Sequence, residues 1–447
     1  MQSAFIFDMM PNCKDKGMTE LFTSNLNIIS QRWPTLASGL KFESINDLDA
    51  CLITGNNQTI SVNGIQLSSR HDRMAEAQIF IQQLPPNCSL VTVYGVGMGD
   101  IATLLTDDPN YKRITICLLN LSLFALLIAY TDQSEWLTDP RVDLIHQLEQ
   151  HSIASVYIAM TPDLLLADDN NAALRDLLVL ENNRAFVNKQ HQNNEPLFRE
   201  RLTANLPVLR RDPDAATLTQ IHSQPQAYVI GTGPTLEDHY SFLAKERQKA
   251  LGKRPLFIAV DTALKPLLSQ GINPDIVISV EKNITIAHFP EALPNSIALV
   301  YLPSIPTEVI EFWPGPKYNA YAKLAKYDEV NKQLPKLRLF TNGSVIHPAI
   351  DLAVFLNTEE ITLFGCDFSY PNNKTHAYWA DGSLGPKAKQ AKHWVLNGKG
   401  ERITTDLNFR AYLRNLEHYI SSKPNINFYQ SSLEGAKIKG THYRECK

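Results

Sequence analysis

The chain has 447 residues, enough for two or three domains of roughly 150 residues each. Its 44% hydrophobic, 20% charged and 9% aromatic residues exclude a disordered chain, a collagen-like repeat and a disulfide scaffold. Lys and Arg total 42 against 46 Asp and Glu, a net charge of -4 that gives no basic footprint for nucleic acid and no general attraction to an acidic membrane.

Apolar residues at Leu21, Phe22, Leu26, Ile28 and Ile29 predict an amphipathic helix from about Leu21 to Leu40, broken at Trp33-Pro34 because proline cannot continue it. A second helix is predicted from Arg70 to Leu84, ended by Pro85-Pro86. From Ser89 to Leu105, four strand-forming residues (Val91 to Tyr94) run into Gly95, Gly97 and Gly99 and then into a helix. RITICLLN (113–120) and RVDLIHQ (141–147) read as further strands, so this stretch is a βαβ series with a parallel sheet. The longest apolar run, Ile116 to Tyr130, is interrupted by Asn120 and Ser122 and falls short of the ~20 apolar residues of a membrane span. It reads as a buried strand followed by a helix. The N-terminus lacks the basic region, apolar core and cleavage site of a secretory signal. The six cysteines (13, 51, 88, 117, 366 and 446) form no CxxC pair and read as free, mostly buried thiols of a reducing compartment. The expectation is a cytoplasmic chain, without membrane insertion and without a nucleic-acid partner.

Residues 163 to 209 read as a polar helical connector. A new βα series begins at Ala227: AYVIGTGPTLEDHYSFL, LFIAVDTALKPLLSQGI, then the strand DIVISVE. IALVYL (297–302), a helix over 345–357, the strand EITLF (360–364) and a final helix near Asp406 to Ile420 complete it. The fold class is therefore α/β, with two Rossmann-like doubly wound domains, a helical connector and a C-terminal helical segment. The expected boundaries are 1–160, 161–210, 211–400 and 401–447.

Gly231, Thr232, Gly233, Pro234 and Thr235 follow a strand directly and open a helix, with Glu237 and Asp238 in its first turn. Glycines let backbone N–H groups approach a phosphate, the helix N-terminus adds positive charge, and the two threonines add hydroxyls. The third glycine of the dinucleotide fingerprint and the lysine of a Walker loop are missing. The turn reads either as an anion site or as a tight βα turn that holds nothing. The looser Gly95–Asp100 turn has no carboxylate at the end of the following strand, near Leu119-Asn120, and reads as a scaffold without a working cofactor site. Asp261 and Thr262 end the strand after the second glycine turn, in the crevice where open α/β sheets bind ligands. Glu281 ends the next strand and suits a ribose, a metal or an acceptor amine, whereas Asp275 reads as a solvated turn residue. Asn342, Gly343 and Ser344 precede a helix, with Ser344 either its N-cap or, with its neighbours, a second wall of a nucleotide pocket. His376, in the polar loop after Gly365-Cys366-Asp367, is either a surface residue or a general base.

Four blocks, YVIGTGPTLEDH, IAVDTALKPLLSQGINPDIVISVE, TNGSVIHPAIDLA and ITLFGCDFSYPNNKTHA, resemble in order and spacing the core of the motility-associated factor (Maf) family, which glycosylates flagellin. That core is shared with 6-hydroxymethylpterin diphosphokinase MptE-like proteins and looks like that of bacterial sialyltransferases. NLNIISQRWPTLASGL, VYGVGMGD and SSLEGAKIKG extend the resemblance over nearly the whole chain. It implies a transferase with a CMP-activated pseudaminic or legionaminic acid as donor and flagellin Ser or Thr hydroxyls as acceptor, required for flagellar assembly and motility. In that setting residues 211–400 are a nucleotide-sugar-binding core. Gly231 to Thr235 hold the CMP phosphate or ribose, Asp261, Thr262 and Glu281 border the site, and Asn342, Gly343 and Ser344 complete it. Asp367 and His376 come from the block ending in Thr-His-Ala, with His376 as base. Three positions depart from the family pattern: Thr235 for Ser, Glu281 for Asp and Cys366 for Gln. No metal ligand is assigned, although a divalent metal is compatible. Two other readings stay open. One is a Mg²⁺-dependent pterin diphosphokinase using Asp261, Glu281 or Asp367 as metal-binding carboxylates. The other is a non-catalytic flagellin-binding accessory protein.

Overall fold

In the computed structural model, which describes residues 8–9, 19–146, 153–183, 195–385 and 387–447, each glycine turn follows a central strand of a parallel sheet. The chain divides into two units, Met1–Asn182 and Asn183–Lys447. The division falls inside the stretch read above as a connector, of which residues 184–194 lie outside the described residues.

In the first unit the helices Glu20–Arg32 and Pro34–Leu40 are separated at Trp33 as the proline requires. An antiparallel sheet follows, made of β1 (Asp8–Met9), β2 (Ala50–Thr54), β3 (Gln58–Val62) and β4 (Ile65–Gln66) in that order. The strands β3 and β4 are joined by Asn63-Gly64, both at positive φ, the turn chemistry that matches strand twist in a two-residue hairpin. The parallel sheet holds β5 (Leu90–Tyr94), β6 (Arg113–Cys117), β7 (Val142–Ile145) and β8 (Tyr157–Ala159) in the order β7-β6-β5-β8. The apolar run splits as expected into β6 and the helix Leu121–Tyr130, in which every residue but Ser122 and Tyr130 is buried. Asn120, at the position where a ribose-binding carboxylate would stand, caps this helix instead, its Oδ1 accepting from the Leu123 amide at 3.1 Å. Among the described residues no helix is long and apolar enough to cross a membrane. The described cysteines are free, with Cys117, Cys366 and Cys446 buried and Cys51 and Cys88 half-buried.

The second unit has β9 (Gln226–Ile230), β10 (Leu256–Val260), β11 (Ile276–Ser279), β12 (Ala298–Tyr301) and β13 (Lys317–Asn319). The short pair β14 (Tyr321–Ala322) and β15 (Arg338–Leu339) precedes β16 (Glu360–Phe364). A hairpin, β17 (His393–Leu396) with β18 (Arg402–Thr405), leads through the helix Leu407–Ser421 to β19 (Asn427–Gln430) and β20 (His442–Tyr443). The main sheet runs β13-β12-β11-β10-β9-β16-β19-β20 and is parallel throughout. Every residue of β10, β11 and β12 is buried, as expected of parallel strands covered on both faces. Residues 401–447, read above as a C-terminal helical segment, supply β19 and β20 to this sheet. Strand order reverses between β9 and β16, and such a switch point opens a crevice at the carboxyl ends of the two strands.

Asp275 is not a solvated turn residue. Its carboxylate accepts from Arg254 at 2.6 Å on each oxygen, from Arg247 at 3.0 Å and from the Phe257 amide at 2.9 Å. A buried carboxylate needs this pairing, which ties the amino ends of β10 and β11 together.

Candidate active site

Beyond their last strand residues, β9 and β16 stay zipped: the Gly231 amide donates to Phe364 O at 2.8 Å and the Gly233 amide to Gly365 O at 2.7 Å. A Cβ at Gly233 would stand 2.4 Å from Asp367 Oδ2 and 2.6 Å from Gly365 O, so only glycine fits the close approach. The turn then enters the 3₁₀ helix Pro234–His239. Asp367 fastens that helix, its Oδ2 accepting from the Thr235 amide at 2.9 Å and its Oδ1 from the Thr235 hydroxyl at 2.6 Å. Burial pushes the Asp367 carboxyl up to about 6, against the lowering effect of these two bonds.

In front of this junction lies a cleft of about 200 Å³. The sequence-derived candidates Thr232, Gly233, Thr262, Gly343, Ser344, Asp367 and His376 all line it. Thr232 and Thr262 share a hydroxyl hydrogen bond of 2.6 Å, joining the turns after β9 and β10. Asp261 stands behind Thr262, buried, with Oδ1 accepting from the Thr262 amide at 2.8 Å and Oδ2 from the Ser279 hydroxyl at 2.7 Å. Burial pushes its carboxyl up to about 6 as well, and the negative charge of Glu281 adds to the rise. Gly231, Pro234 and Thr235 lie outside the cleft lining; Thr235 faces a second cavity of about 10 Å³ on the other side of Asp367. Glu281 and Asn342 are exposed and do not line the cleft.

Gly343, at φ +90, brings its backbone against Tyr412, whose Cε1 would lie 2.2 Å from an added Cβ. Among the described residues the amides of Gly343, Ser344 and Val345 donate to no acceptor, and they precede the helix Ile346–Phe355. The Ser344 hydroxyl accepts from the Ile346 amide at 3.4 Å, a long and therefore weak cap. This wall thus offers unclaimed N–H donors at a helix N-terminus, a combination suited to an anion.

His376 is half-buried on the cleft wall, with its Nδ1 buried and without a hydrogen-bond partner among the described residues. Desolvation lowers its imidazole to about 4, so the ring is neutral near pH 7. The buried Thr375 hydroxyl beside it also has no partner among the described residues. The loop carrying both is pinned to the glycine turn by the Ala377 amide, which donates to Thr232 O at 2.8 Å.

Phe409 and Tyr412 complete the lining and escaped the sequence reading. They lie on the helix Leu407–Ser421, three residues apart and therefore on one face, with ring centroids 6.2 Å apart. That spacing was the available signal. Aromatic faces of this kind suit a planar base.

The three carboxylates considered for Mg²⁺ do not form a donor set. Asp261 and Asp367 spend both oxygens on the protein's own donors, and Glu281 lies outside the cleft lining. Among the described residues no group of three His, Cys, Asp or Glu side chains could hold a metal ion.

The glycine turn of the first unit is filled from within. The Val96 amide donates to Asp163 Oδ1 at 2.8 Å and the Gly97 amide to Asp163 Oδ2 at 3.1 Å, and burial pushes this carboxyl up to about 6. The Gln133 side chain closes the far end, donating to Met98 O at 3.3 Å.

Among solved structures, the chain is similar to a Maf glycosyltransferase from Magnetospirillum magneticum AMB-1, with a TM-score of 0.41 and 13% identity over 96% of this chain and 74% of that one. It is also similar to a spermidine synthase in complex with the transition state analogue AdoDATO, with a TM-score of 0.21 and 14% identity over 27% of this chain and 46% of that one. The spermidine synthase from Thermotoga maritima gives a TM-score of 0.21 and 15% identity over 27% and 45%. No curated protein matches the sequence. Residues 200–373 match the model of the family described as 6-hydroxymethylpterin diphosphokinase MptE-like. The matched stretch holds β9 to β16 and both turns of the switch point, and it is the MptE-like core that the four sequence blocks resemble.

Proposed function

We propose that this chain is a glycosyltransferase that moves a nonulosonic acid of the pseudaminic or legionaminic type from a CMP-activated donor to Ser or Thr hydroxyls of flagellin. The observation that carries the reading is a single cleft uniting unclaimed backbone amides, aromatic faces and a neutral imidazole. The amides of Gly343 to Val345 and the one O–H of the Thr232–Thr262 pair not spent in their mutual bond hold the phosphate, and Tyr412 and Phe409 flank the base. The acceptor oxygen attacks the anomeric carbon, the bond from that carbon to the phosphate oxygen breaks, and CMP leaves with the electron pair. His376 takes the hydroxyl proton on Nε2, the nitrogen not buried in the protein. An imidazole at about 4 is a weak base, and the nearby negative charge of the bound phosphate raises it toward neutrality. Asp367 acts on this chemistry as a positioning residue, since both its oxygens are committed to Thr235. In this reading the enzyme works in the cytoplasm, and flagellar assembly and motility depend on it.

A second reading, phosphoryl transfer as in a pterin diphosphokinase, is favoured by the description of the matched family. The engaged oxygens of Asp261 and Asp367 count against it. Calorimetric titration of the full chain with CMP, ATP and S-adenosylmethionine, each with and without Mg²⁺, separates the readings. CMP binding that is lost in Gly233→Val supports the transferase. ATP binding that requires Mg²⁺ supports the diphosphokinase, and no binding at all supports a non-catalytic flagellin-binding protein.

A further inference from the structure

The loop after β16 does more than carry His376. Tyr378 holds its backbone at φ +69, a region that a bulky side chain enters only at a cost, and half of its surface is exposed. The conformation is held from three sides. The Tyr378 amide donates to Glu237 Oε1 at 2.7 Å, Lys374 Nζ pairs with the same oxygen at 2.5 Å, and Trp379 Nε1 donates to Thr262 O at 3.1 Å. Thr262 lines the cleft, so Trp379 is fixed at the cleft's border. Tyr378 and Trp379 stand edge to face at 5.7 Å, and the His288 ring lies 6.0 Å from Trp379. Lys265 Nζ is 5.5 Å from the Trp379 ring, its one hydrogen bond among the described residues a long 3.4 Å contact to Ala287 O. No carboxylate pairs with this ammonium among the described residues.

These restraints fix the strained conformation and leave the Tyr378 ring in water, beside Trp379 and the Lys265 ammonium. Aromatic faces take the C–H face of a sugar ring, and an ammonium without a counter-ion selects a carboxylate. We propose that Tyr378, Trp379 and Lys265 form a subsite for the glycosyl group of the donor, one that selects an acidic sugar over a neutral one. This deepens the transferase reading and rests on it for the identity of the ring bound there.

The test is a ligand-observed NMR titration of the full chain with free N-acetylneuraminic acid and, as a neutral counterpart, N-acetylmannosamine. The acidic sugar is expected to bind at least about five-fold tighter than the neutral one, and Lys265→Met to abolish that preference. Tyr378→Asn is expected to weaken both sugars by about five-fold or more while the melting temperature holds or rises, because asparagine accepts this backbone conformation readily. Equal affinity for the two sugars, no binding of either, or variants that bind as the wild type does would each overturn the subsite. CMP, titrated in parallel, tests the parent reading separately. Sugar binding with CMP silent retains the subsite and removes the transferase assignment, whereas CMP binding with no sugar preference does the reverse.

Discussion

Thr235 and Asp367 are joined twice, amide to Oδ2 at 2.9 Å and hydroxyl to Oδ1 at 2.6 Å, across the switch point of the second sheet. The first sheet has a counterpart. Asp163, beyond β8, reaches the turn after β5 and accepts from Val96 and Gly97. In each unit a buried carboxylate from one side of the switch point fastens the turn on the other. The difference lies in which donors it takes. Asp163 occupies the amides of the glycine turn itself, those a phosphate would use. Asp367 takes donors at Thr235, two residues further on, and leaves Thr232 and Gly233 lining the cleft. The second turn therefore faces the cleft without a carboxylate on it, although its Gly231 and Gly233 amides are taken by Phe364 O and Gly365 O.

Thr235→Val removes the hydroxyl that Asp367 Oδ1 accepts from and leaves a buried oxygen unsatisfied, a cost of about 1–3 kcal/mol. Thr235→Ser keeps the bond and is expected to stay within about 1 kcal/mol of the wild type, losing only a methyl group. Chemical denaturation of the three proteins measures this. Equal stability of the valine and serine variants would show that the hydroxyl bond contributes nothing.

Asp163→Asn presents an amide NH₂ to one of two backbone donors that both require an acceptor. The first unit is expected to lose about 1–3 kcal/mol, read by denaturation. CMP affinity, which the proposed function places in the second unit, is expected to stay unchanged. A large fall in CMP affinity in a folded Asp163→Asn protein would move the nucleotide site to the first unit.

Much of this arrangement was legible before the structure. β5, β9, β10, β11, β12 and β16 are short apolar runs at or close to glycine, proline or aspartate punctuation, the pattern of a buried parallel strand, and β6 is legible from its apolar run alone. β19, NFYQ, carries polar residues at both ends and owes its place to pairing with β16, a tertiary relation that no local pattern encodes. The hairpin of β3 and β4 was legible in Asn63-Gly64 and went unread, as did the Asn397–Gly400 turn between β17 and β18. Seven candidate residues converge on the cleft because glycine turns and strand ends mark the switch point in any such sheet. Tyr412 and Phe409 did not stand out, since an aromatic pair on an amphipathic helix looks the same whether it faces core or ligand. Glu281 and Asn342 sit at the right ends of their segments, but their side chains reach solvent.

Gly343→Ala meets two obstacles, the φ of +90 and the Tyr412 ring 2.2 Å from the new Cβ. The wall that bears the free amides has to shift, and CMP affinity is expected to fall by about ten-fold or more. Combining it with Tyr412→Ala removes the collision and leaves the backbone cost of roughly 1–2 kcal/mol. The double variant is therefore expected to regain stability over Gly343→Ala without regaining the wild-type value. Wild-type CMP affinity in Gly343→Ala would remove this wall from the nucleotide site.

His347 gives the stability of the second unit a definite pH dependence. The ring is fully buried behind the Gly343 wall, with Nε2 at 3.0 Å from Tyr412 O and Nδ1 without a partner of hydrogen-bond geometry among the described residues. Burial lowers its folded value from 6.5 to about 4, partly offset by the carbonyls of Tyr412 and Asn342. A depressed folded value means that the unfolded chain takes up the proton first. The contribution is therefore fully present above about 6.5 and is lost as the pH falls toward 4. Between pH 7 and pH 5 the loss from this residue amounts to about 2 kcal/mol. His376 changes stability in the same direction, while Asp261 and Asp367, raised to about 6, act in the opposite one as they take up protons on acidification. The net slope of the wild type thus mixes signs, and the difference between wild type and His347→Gln isolates one group. Denaturation of both proteins at pH 7 and pH 5 is expected to show the variant losing about 2 kcal/mol less than the wild type over that interval. Identical losses would mean that His347 titrates as an ordinary histidine and that the wall around Gly343 admits water.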